Sequence, residues 1–277
     1  MTGPASAPMP DSHPASDVSP ALTSDLAGAP PRLAVVVPVR NEAGNIEGLV
    51  AEIARACAGL APFEVIYVDD GSTDGTPAAL EAARAGRPWL RVLRHARGGG
   101  QSAAVRSGVA AARAPVVATL DGDGQNDPAF LPALVAALEQ GGPGIGLAQG
   151  QRTGRKDGPF KMLQSRIANG VRGRILKDST RDTGCGLKVF RREVYRALPY
   201  FDALHRFMPA LVAREGFGVV HRDVVDRPRH TGTSNYGLFD RLWVGLLDLA
   251  GVWWLIRRKR PTPSVTEVVA RREEASC

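Results

Sequence analysis

Residues Pro115–Pro128 read PVVATLDGDGQNDP, an apolar run that stops at a polar cluster with no transition between them. The stretch Val116–Leu120 has the length and composition of a strand buried on both faces. The cluster Asp121–Pro128 therefore stands at that strand's C-terminal mouth. Residues two apart in extended backbone point to the same side, so Asp121 and Asp123 hold two carboxylates over one point, and Gln125 adds a neutral oxygen. A few hard oxygen donors suit Mg²⁺ or Mn²⁺ shared with substrate phosphates. Taken alone, an Asp- and Gly-rich turn that merely ends a strand has the same composition. The neighbouring stretches decide between the two.

Working outward, LAVVVPV (Leu33–Val39), FEVIYVDD (Phe63–Asp70), WLRVLR (Trp89–Arg94) and IGLAQGQR (Ile145–Arg152) are further strand runs. Helical stretches separate them. One opens at Asn41 and Glu42 and runs to about Gly59, and a second covers Pro77–Ala85. A third leads from the Gly-rich HARGGGQS to about Ala112, and a fourth covers Pro128–Gln140. Apolar strands alternating with helices predict an α/β fold with a mostly parallel sheet flanked by helices. Ligands of such sheets gather beyond the carboxyl ends of the strands. The polar stretches PVRNE, DDGSTDGT and DGDGQNDP all fall on that edge, which predicts one site rather than three.

The 277 residues allow one large domain or two small ones, and a hydrophobic fraction of 44% is enough for a sizeable core. The formal charge of +7 is concentrated: between Gln151 and Cys185, nine basic residues face three acids. Such a segment suits an anionic partner, whether phospholipid, phosphorylated substrate or nucleic acid. Cys57, Cys185 and Cys277 have no metal-like spacing and fit a reduced, cytosolic setting. No stretch at the N-terminus pairs a basic start with an apolar core, so no signal peptide is expected. Residues 1–31 are rich in Pro, Ala and Ser and are expected to form a disordered tail ahead of a domain over 32–235.

Past Gly150 the alternation lapses. Lys156–Lys177 reads as a basic helix, Thr183–Phe190 as a short strand, Phe217–Val225 as another, and Arg227–Gly237 as a loop. In Leu238–Ile256, Leu242, Leu246, Leu249, Trp253 and Ile256 share one helical face. A membrane span needs roughly 20 apolar residues, and Asp248 interrupts the longest run here. Trp243, Trp253, Trp254 and the basic Arg257–Arg260 suit an interfacial position. Residues 236–260 are therefore expected to form an amphipathic helix lying on a membrane surface with anionic lipids, ahead of a flexible tail over 261–277. A helix packed on the core is the alternative.

Taken together and in order, three motifs resemble family 2 glycosyltransferases of the GT-A fold, over roughly Leu33–Arg152. They are P-x-x-N-E (Pro38, Asn41, Glu42), D-D-G-S (Asp69, Asp70, Gly71, Ser72) and D-x-D-x-Q (Asp121, Asp123, Gln125). Later stretches are similar to the dolichyl- or polyprenyl-phosphate sugar synthases, the dolichol-phosphate mannose synthase-like subgroup. These are Q-N-D-P, G-x-R at Gly150–Arg152, Ser165–Arg166, the run Asp182–Arg191, and R-H-x-G-x-S-N-Y at Arg229–Tyr236. Two positions depart from the pattern. Arg40 stands where the subgroup commonly has an aromatic residue, and His95–Arg97 replace an Asn before the Gly-rich turn.

The resemblance implies a metal-dependent, inverting hexosyltransferase with a GDP- or UDP-linked sugar donor and a polyprenyl phosphate acceptor, working in cell-envelope glycan or lipid modification. It places the donor against Pro38, Arg40, Glu42, Asp69, Asp70, Ser72 and Asp121, with Asp70 accepting hydrogen bonds from the base. Asp121, Asp123 and Gln125 would hold Mg²⁺ or Mn²⁺. Arg152, Ser165, Arg166, Lys188, Arg229 and His230 would meet the acceptor phosphate, Arg152 by a forked contact. Asp182 is either a weak base or the residue that orients Arg152 or Arg181. The implied location is cytoplasmic, peripherally attached to the inner face of the plasma membrane, with no nucleic-acid partner. Three alternatives stay open: the same fold acting on a sugar hydroxyl of lipopolysaccharide or polysaccharide, a sugar-phosphate nucleotidyltransferase, and a non-catalytic membrane-associated binding protein.

Overall fold

The computed structural model describes residues 29–153, 170, 172–227, 238–260 and 263, with side chains of 238–244 left aside. Seven strands, β1 (Leu33–Val39), β2 (Phe63–Asp69), β3 (Leu90–Arg94), β4 (Val116–Thr119), β5 (Ile145–Arg152), β6 (Lys188–Arg191) and β7 (Gly218–Val224), form one sheet in the order β3-β2-β1-β4-β6-β5-β7. Parallel pairing joins β3, β2, β1 and β4, and joins β5 to β7. Only β6 runs against its neighbours, β4 and β5. The mostly parallel sheet expected from the alternation of runs is present. Its one reversal comes from the Thr183–Phe190 stretch, of which only the C-terminal part is strand.

Among the described residues the helices include α1 (Ile46–Cys57), α2 (Thr76–Arg84), α3 (Gln101–Ala111), α4 (Leu131–Gln140), α5 (Arg192–Ala197), α6 (Leu204–Arg214) and α7 (Leu238–Arg258). They leave two apolar layers, one on each face of the sheet. On one side α1 and α4 close over alternate residues of β1 and β2, such as Val35, Val37, Val65 and Tyr67. On the other, α3 and α6 cover Val36, Ile66 and Val117. That two-sided burial is why the strand runs read as continuous apolar stretches rather than as alternating ones.

Two expectations need correction. The first helix opens at Ile46, not at Asn41, because Asn41 sits at φ 58 in the left-handed region and a 3₁₀ turn over Ala43–Asn45 intervenes. Helices α5 and α6 lie where the sequence reading assigns no element, and α6 encloses Pro209. The face assigned to α7 is also different. Leu249, Val252 and Ile256 turn inward against the core, while Leu246 and Trp253, expected on the same face as Leu249, stand 49% and 39% exposed. Arg214 Nε donating to Leu255 O at 3.0 Å, and Lys259 Nζ reaching Arg214 O at 2.7 Å and Glu215 Oε2 at 2.8 Å, tie α7 to the end of α6. The helix is thus docked on the protein by one row of residues and leaves another apolar row outside. The tails, most of the basic stretch 156–177 and the loop after Arg227 lie outside the described residues.

Candidate active site

The turns after β1 and β2 are stitched together. Asn41 N donates to Ser72 Oγ at 3.0 Å, Thr73 N to Asn41 Oδ1 at 2.9 Å, and Glu42 N to Thr76 Oγ1 at 2.8 Å. Glu42 itself accepts from Asn45 Nδ2 at 2.6 Å. Asp69 accepts from Ser72 N at 2.8 Å and faces Arg94 at 3.3 Å, so it shapes the turn rather than the open edge. Gly71 adopts φ +72, and a Cβ there would lie 2.7 Å from Gly98 N. The D-D-G-S turn therefore presses on the Gly-rich turn in a way that only glycine permits. Arg40 is exposed and rests its guanidinium beside Gly98.

Asp70, 4% exposed, is bonded within the chain to the Gly-rich turn. Gly99 N and Gly100 N donate to its two oxygens, each at 2.8 Å, and His95 Nδ1 lies 2.6 Å from Oδ1. Burial pushes its carboxyl up, but the donors from Gly99, His95 and Gly100 outweigh burial and hold it below the ordinary range. His95 Nε2 continues the chain to Ser107 Oγ at 2.8 Å. Asp70 thus orders the Gly-rich turn, and His95, the first of the residues His95–Arg97 that depart from the family pattern, bonds to it.

Beyond β4, Asp121 accepts from Gln101 Nε2 at 2.7 Å, and its own N–H donates to Asn126 Oδ1 at 2.9 Å. Asp123, 8% exposed, accepts from Gln125 N at 3.1 Å. Burial, then the charge of Asp123, push the Asp121 carboxyl up to about 6, against the pull of Lys188 and Arg152. Gly186, just before β6, closes the floor: a Cβ there would fall 2.4 Å from both Asp121 Oδ2 and Asn126 Oδ1.

Arg152, at the end of β5, lies across the same cavity. Its Nε and Nη2 hold Asp182 at 2.6 and 2.9 Å, and its Nη1 holds Asp226 at 3.2 Å. The fork expected to grip a phosphate is spent on Asp182. Burial depresses the guanidinium, but Asp182 and Asp226 more than restore it and raise it above its ordinary value. Lys188, 2% exposed, donates from Nζ to Cys185 O, and burial lowers its ammonium despite nearby Asp121 and Asp182. Pro38, Gln101, Asp121, Arg152, Lys188 and His205 line a cavity of about 310 Å³. His205 bonds Ser102 Oγ at 2.8 Å, and burial pushes it down to about 3, so it is neutral at physiological pH.

The structure therefore brings Pro38, Asp121, Arg152, Asp182 and Lys188 to one cavity. Ser165, Arg166, Arg229 and His230 lie outside the described residues. Gln101, Asn126, His205 and Asp226 were missed as participants. Asp226 had a signal, since it follows a predicted strand on the productive edge of the sheet; Gln101 and His205 reach the cavity from helices and had none.

Two crowded carboxylates fit a divalent cation, because one of them is held partly protonated without it. Among the described residues, no group of three or more His, Cys, Asp and Glu is placed so that all could hold one metal ion. That fits a site completed by substrate phosphates rather than by protein alone.

The match to the family model described as Glycosyl transferase family 2 spans residues 34–198. The chain belongs to that family of glycosyltransferases. It is 38% identical over 237 residues to a dodecaprenyl-phosphate galacturonate synthase of Rhizobium johnstonii, covering 82% of this chain and 68% of that protein. It is 34% identical over 209 residues to an undecaprenyl-phosphate 4-deoxy-4-formamido-L-arabinose transferase of Edwardsiella ictaluri, covering 74% of this chain and 63% of that one. The chain thus spans about two thirds of the length of these relatives. Among solved structures it is similar to a mannosyltransferase of Pyrobaculum calidifontis in complex with GDP-Man and Mn²⁺, with a TM-score of 0.63 and 21% identity over 85% of this chain and 67% of that one. A glucosyl-3-phosphoglycerate synthase of Mycobacterium tuberculosis with Mn²⁺, UDP and phosphoglyceric acid gives the same score and identity, over 87% and 83%. These two likenesses concern the fold.

A raised carboxylate pKa means that the folded chain binds a proton that the unfolded chain has released. Stability of the metal-free protein should therefore fall as pH rises from about 4 through about 6. Asp121→Asn should remove that fall, raising metal-free stability at pH 7.5 by roughly 1 kcal/mol after solvent screening, and should abolish any Mn²⁺-induced rise in melting temperature. Urea unfolding at several pH values measures the first, and thermal melts with and without Mn²⁺ measure the second. An Asp121→Asn protein that Mn²⁺ still stabilises as it does the wild type would place the cation elsewhere.

Proposed function

We propose that the chain transfers a sugar from a nucleotide-sugar donor to a polyprenyl phosphate, with inversion at the anomeric carbon, at the cytoplasmic surface of a membrane. The observation that carries this reading is the commitment of Asp182 to Arg152, which leaves the cavity with charge-balancing groups rather than a free base. A hydroxyl acceptor needs a base to take its proton as it attacks. A lipid monophosphate has its second pKa near 6 and arrives at pH 7 largely dianionic, so it needs position and charge balance instead. Both relatives' names join a sugar to a polyprenyl phosphate, while the sugars differ. The acceptor is therefore the better supported half of the reaction.

On the donor side, Pro38, Arg40, Glu42 and Ser72 are assigned to the nucleotide on sequence grounds, as are Asp69 and Asp70, which also order the turns after β2. Arg40 offers a guanidinium that can stack on a base. Asp121 and Asp123, with Gln125 beside them, would hold Mg²⁺ or Mn²⁺ together with the diphosphate. When bound, the cation supplies Lewis-acid stabilisation of the departing nucleoside diphosphate. Arg152 and Lys188 are the two cations facing the cavity, and to meet the acceptor phosphate Arg152 would share Nη1 between that phosphate and Asp226. Ser165, Arg166, Arg229 and His230 are assigned to the same phosphate on sequence grounds.

Two features suit a lipid substrate. Among the described residues no helix is long and apolar enough to cross a membrane. On α7, however, Leu246, Leu247, Trp253 and Trp254 are exposed together, 49%, 61%, 39% and 54%. Arg257 and Arg258 lie over the two indoles, 4.4 and 5.9 Å from the ring centroids. Indole and guanidinium together match the headgroup region of an anionic bilayer. The occupant proposed for this face is the membrane surface itself, which would seat the cavity beside its acceptor.

The test offers undecaprenyl phosphate and a hydroxyl acceptor with a panel of GDP- and UDP-sugars and Mn²⁺. The wild type should yield a charged glycolipid, and Asp182→Asn should retain transfer at about a tenth of the rate. A loss of 10³ or more would mark Asp182 as a general base and favour the hydroxyl acceptor. For the surface helix, Trp253→Ser with Trp254→Ser should reduce co-sedimentation with phosphatidylglycerol vesicles at least about fivefold, since each buried indole is worth on the order of 1–2 kcal/mol. Undiminished binding would remove α7 from the membrane contact.

A further inference from the structure

Asp226 lies two residues past β7 and belongs to none of the family motifs. Its two oxygens serve opposite sides of the cavity. Oδ1 accepts from Asn126 Nδ2 at 3.3 Å, and Asn126 in turn accepts the N–H of Asp121 at 2.9 Å. Oδ2 accepts from Arg152 Nη1 at 3.2 Å. The side chain is 19% exposed.

The chain around it is clamped to the loop that carries the paired carboxylates. Asn126 and Asp226 form a backbone bridge, and Arg227 N donates to Gln125 O at 2.8 Å. The Arg227 guanidinium grips Asp127 and Glu52, each at 2.7 Å. Arg227 therefore suffices to fasten the segment. Asp226 adds something that fastening does not require, a contact across the cavity to the one Arg152 nitrogen that Asp182 does not hold.

We propose that Asp226 is a positioning residue for the transfer: through Asn126 and Arg152 it fixes the separation between the donor-side carboxylates and the acceptor-side guanidinium. The assignment of sides rests on the functional reading above, whereas the bridge does not. Asp226 touches neither reactant. It acts by keeping two groups in register, and misplacement of about 1 Å can cost roughly 10²-fold in rate.

The test is a double-mutant cycle of Asp226→Asn and Arg152→Gln, read as kcat and KM with whichever acceptor the wild type glycosylates. Asn at 226 keeps an oxygen for Asn126 and removes the charge facing Arg152. Asp226→Asn should lower kcat about 30-fold with the donor KM changed less than about threefold, and should cost less than about threefold more in the Arg152→Gln background. Asp226→Glu should recover part of the loss. Independent, multiplicative losses in the cycle would overturn the proposal. So would a full kcat in Asp226→Asn, or a loss that follows melting temperature alone. A wild type that glycosylates only a hydroxyl acceptor would remove the polyprenyl phosphate reading and leave the cycle to judge Asp226 on that acceptor.

Discussion

Four carboxylates, Asp121, Asp123, Asp182 and Asp226, meet at one edge of the sheet, and two buried cations, Arg152 and Lys188, stand among them. Mutual repulsion and burial make that arrangement costly, and the protein meets the cost in two ways. Arg152 spends all three of its nitrogens on Asp182 and Asp226. Asp121, left with a neutral amide as its hydrogen-bond donor, is held partly protonated near neutral pH. An anionic site that stays unbalanced in the folded chain is one prepared for a cation and for the phosphates that come with it. The turns after β1 and β2, the glycine at 186 and the bridge from Asp226 all serve to hold that imbalance in place.

The general order of the chain was legible because the sheet is covered on both faces, so β1, β2 and β4 announce themselves as unbroken apolar runs. The edge on which the site lies followed from the same pattern. What the sequence did not disclose depends on contacts between distant segments. The reversed direction of β6 is set by its seat between β4 and β5, not by its own residues. The partners of Asp70 come from a turn some thirty residues away, and the D-D-G-S motif alone does not distinguish a base-binding carboxylate from one that orders glycines. For Arg152 the sequence offered both a phosphate contact and orientation by Asp182, and only the geometry at the end of β5 shows its fork on Asp182. For α7, helical periodicity could not decide which apolar row faces inward, because apolar residues line more than one face and only packing against α6 chooses between them.

The same electrostatics bear on how the reaction is divided. If the acceptor brings its own charge, the protein needs no strong base, and acidic groups around Arg152 become tuning elements rather than proton acceptors. Asp182 and Asp226 then offset part of the guanidinium charge that the acceptor phosphate would meet. On the proposed reading, the exposed tryptophans of α7 would supply the remaining requirement, a way to bring a soluble donor and a membrane-bound acceptor to one cavity.

The central claim is that Asp121 and Asp123 hold a divalent cation against a nucleoside diphosphate. Its most direct test is a crystal structure with Mn²⁺ and UDP or GDP, with the metal located by anomalous scattering. The account requires an anomalous peak within bonding distance of the Asp121 and Asp123 carboxylates and of the diphosphate oxygens. A nucleotide seated at the edge of the sheet with no peak between those two carboxylates would contradict it.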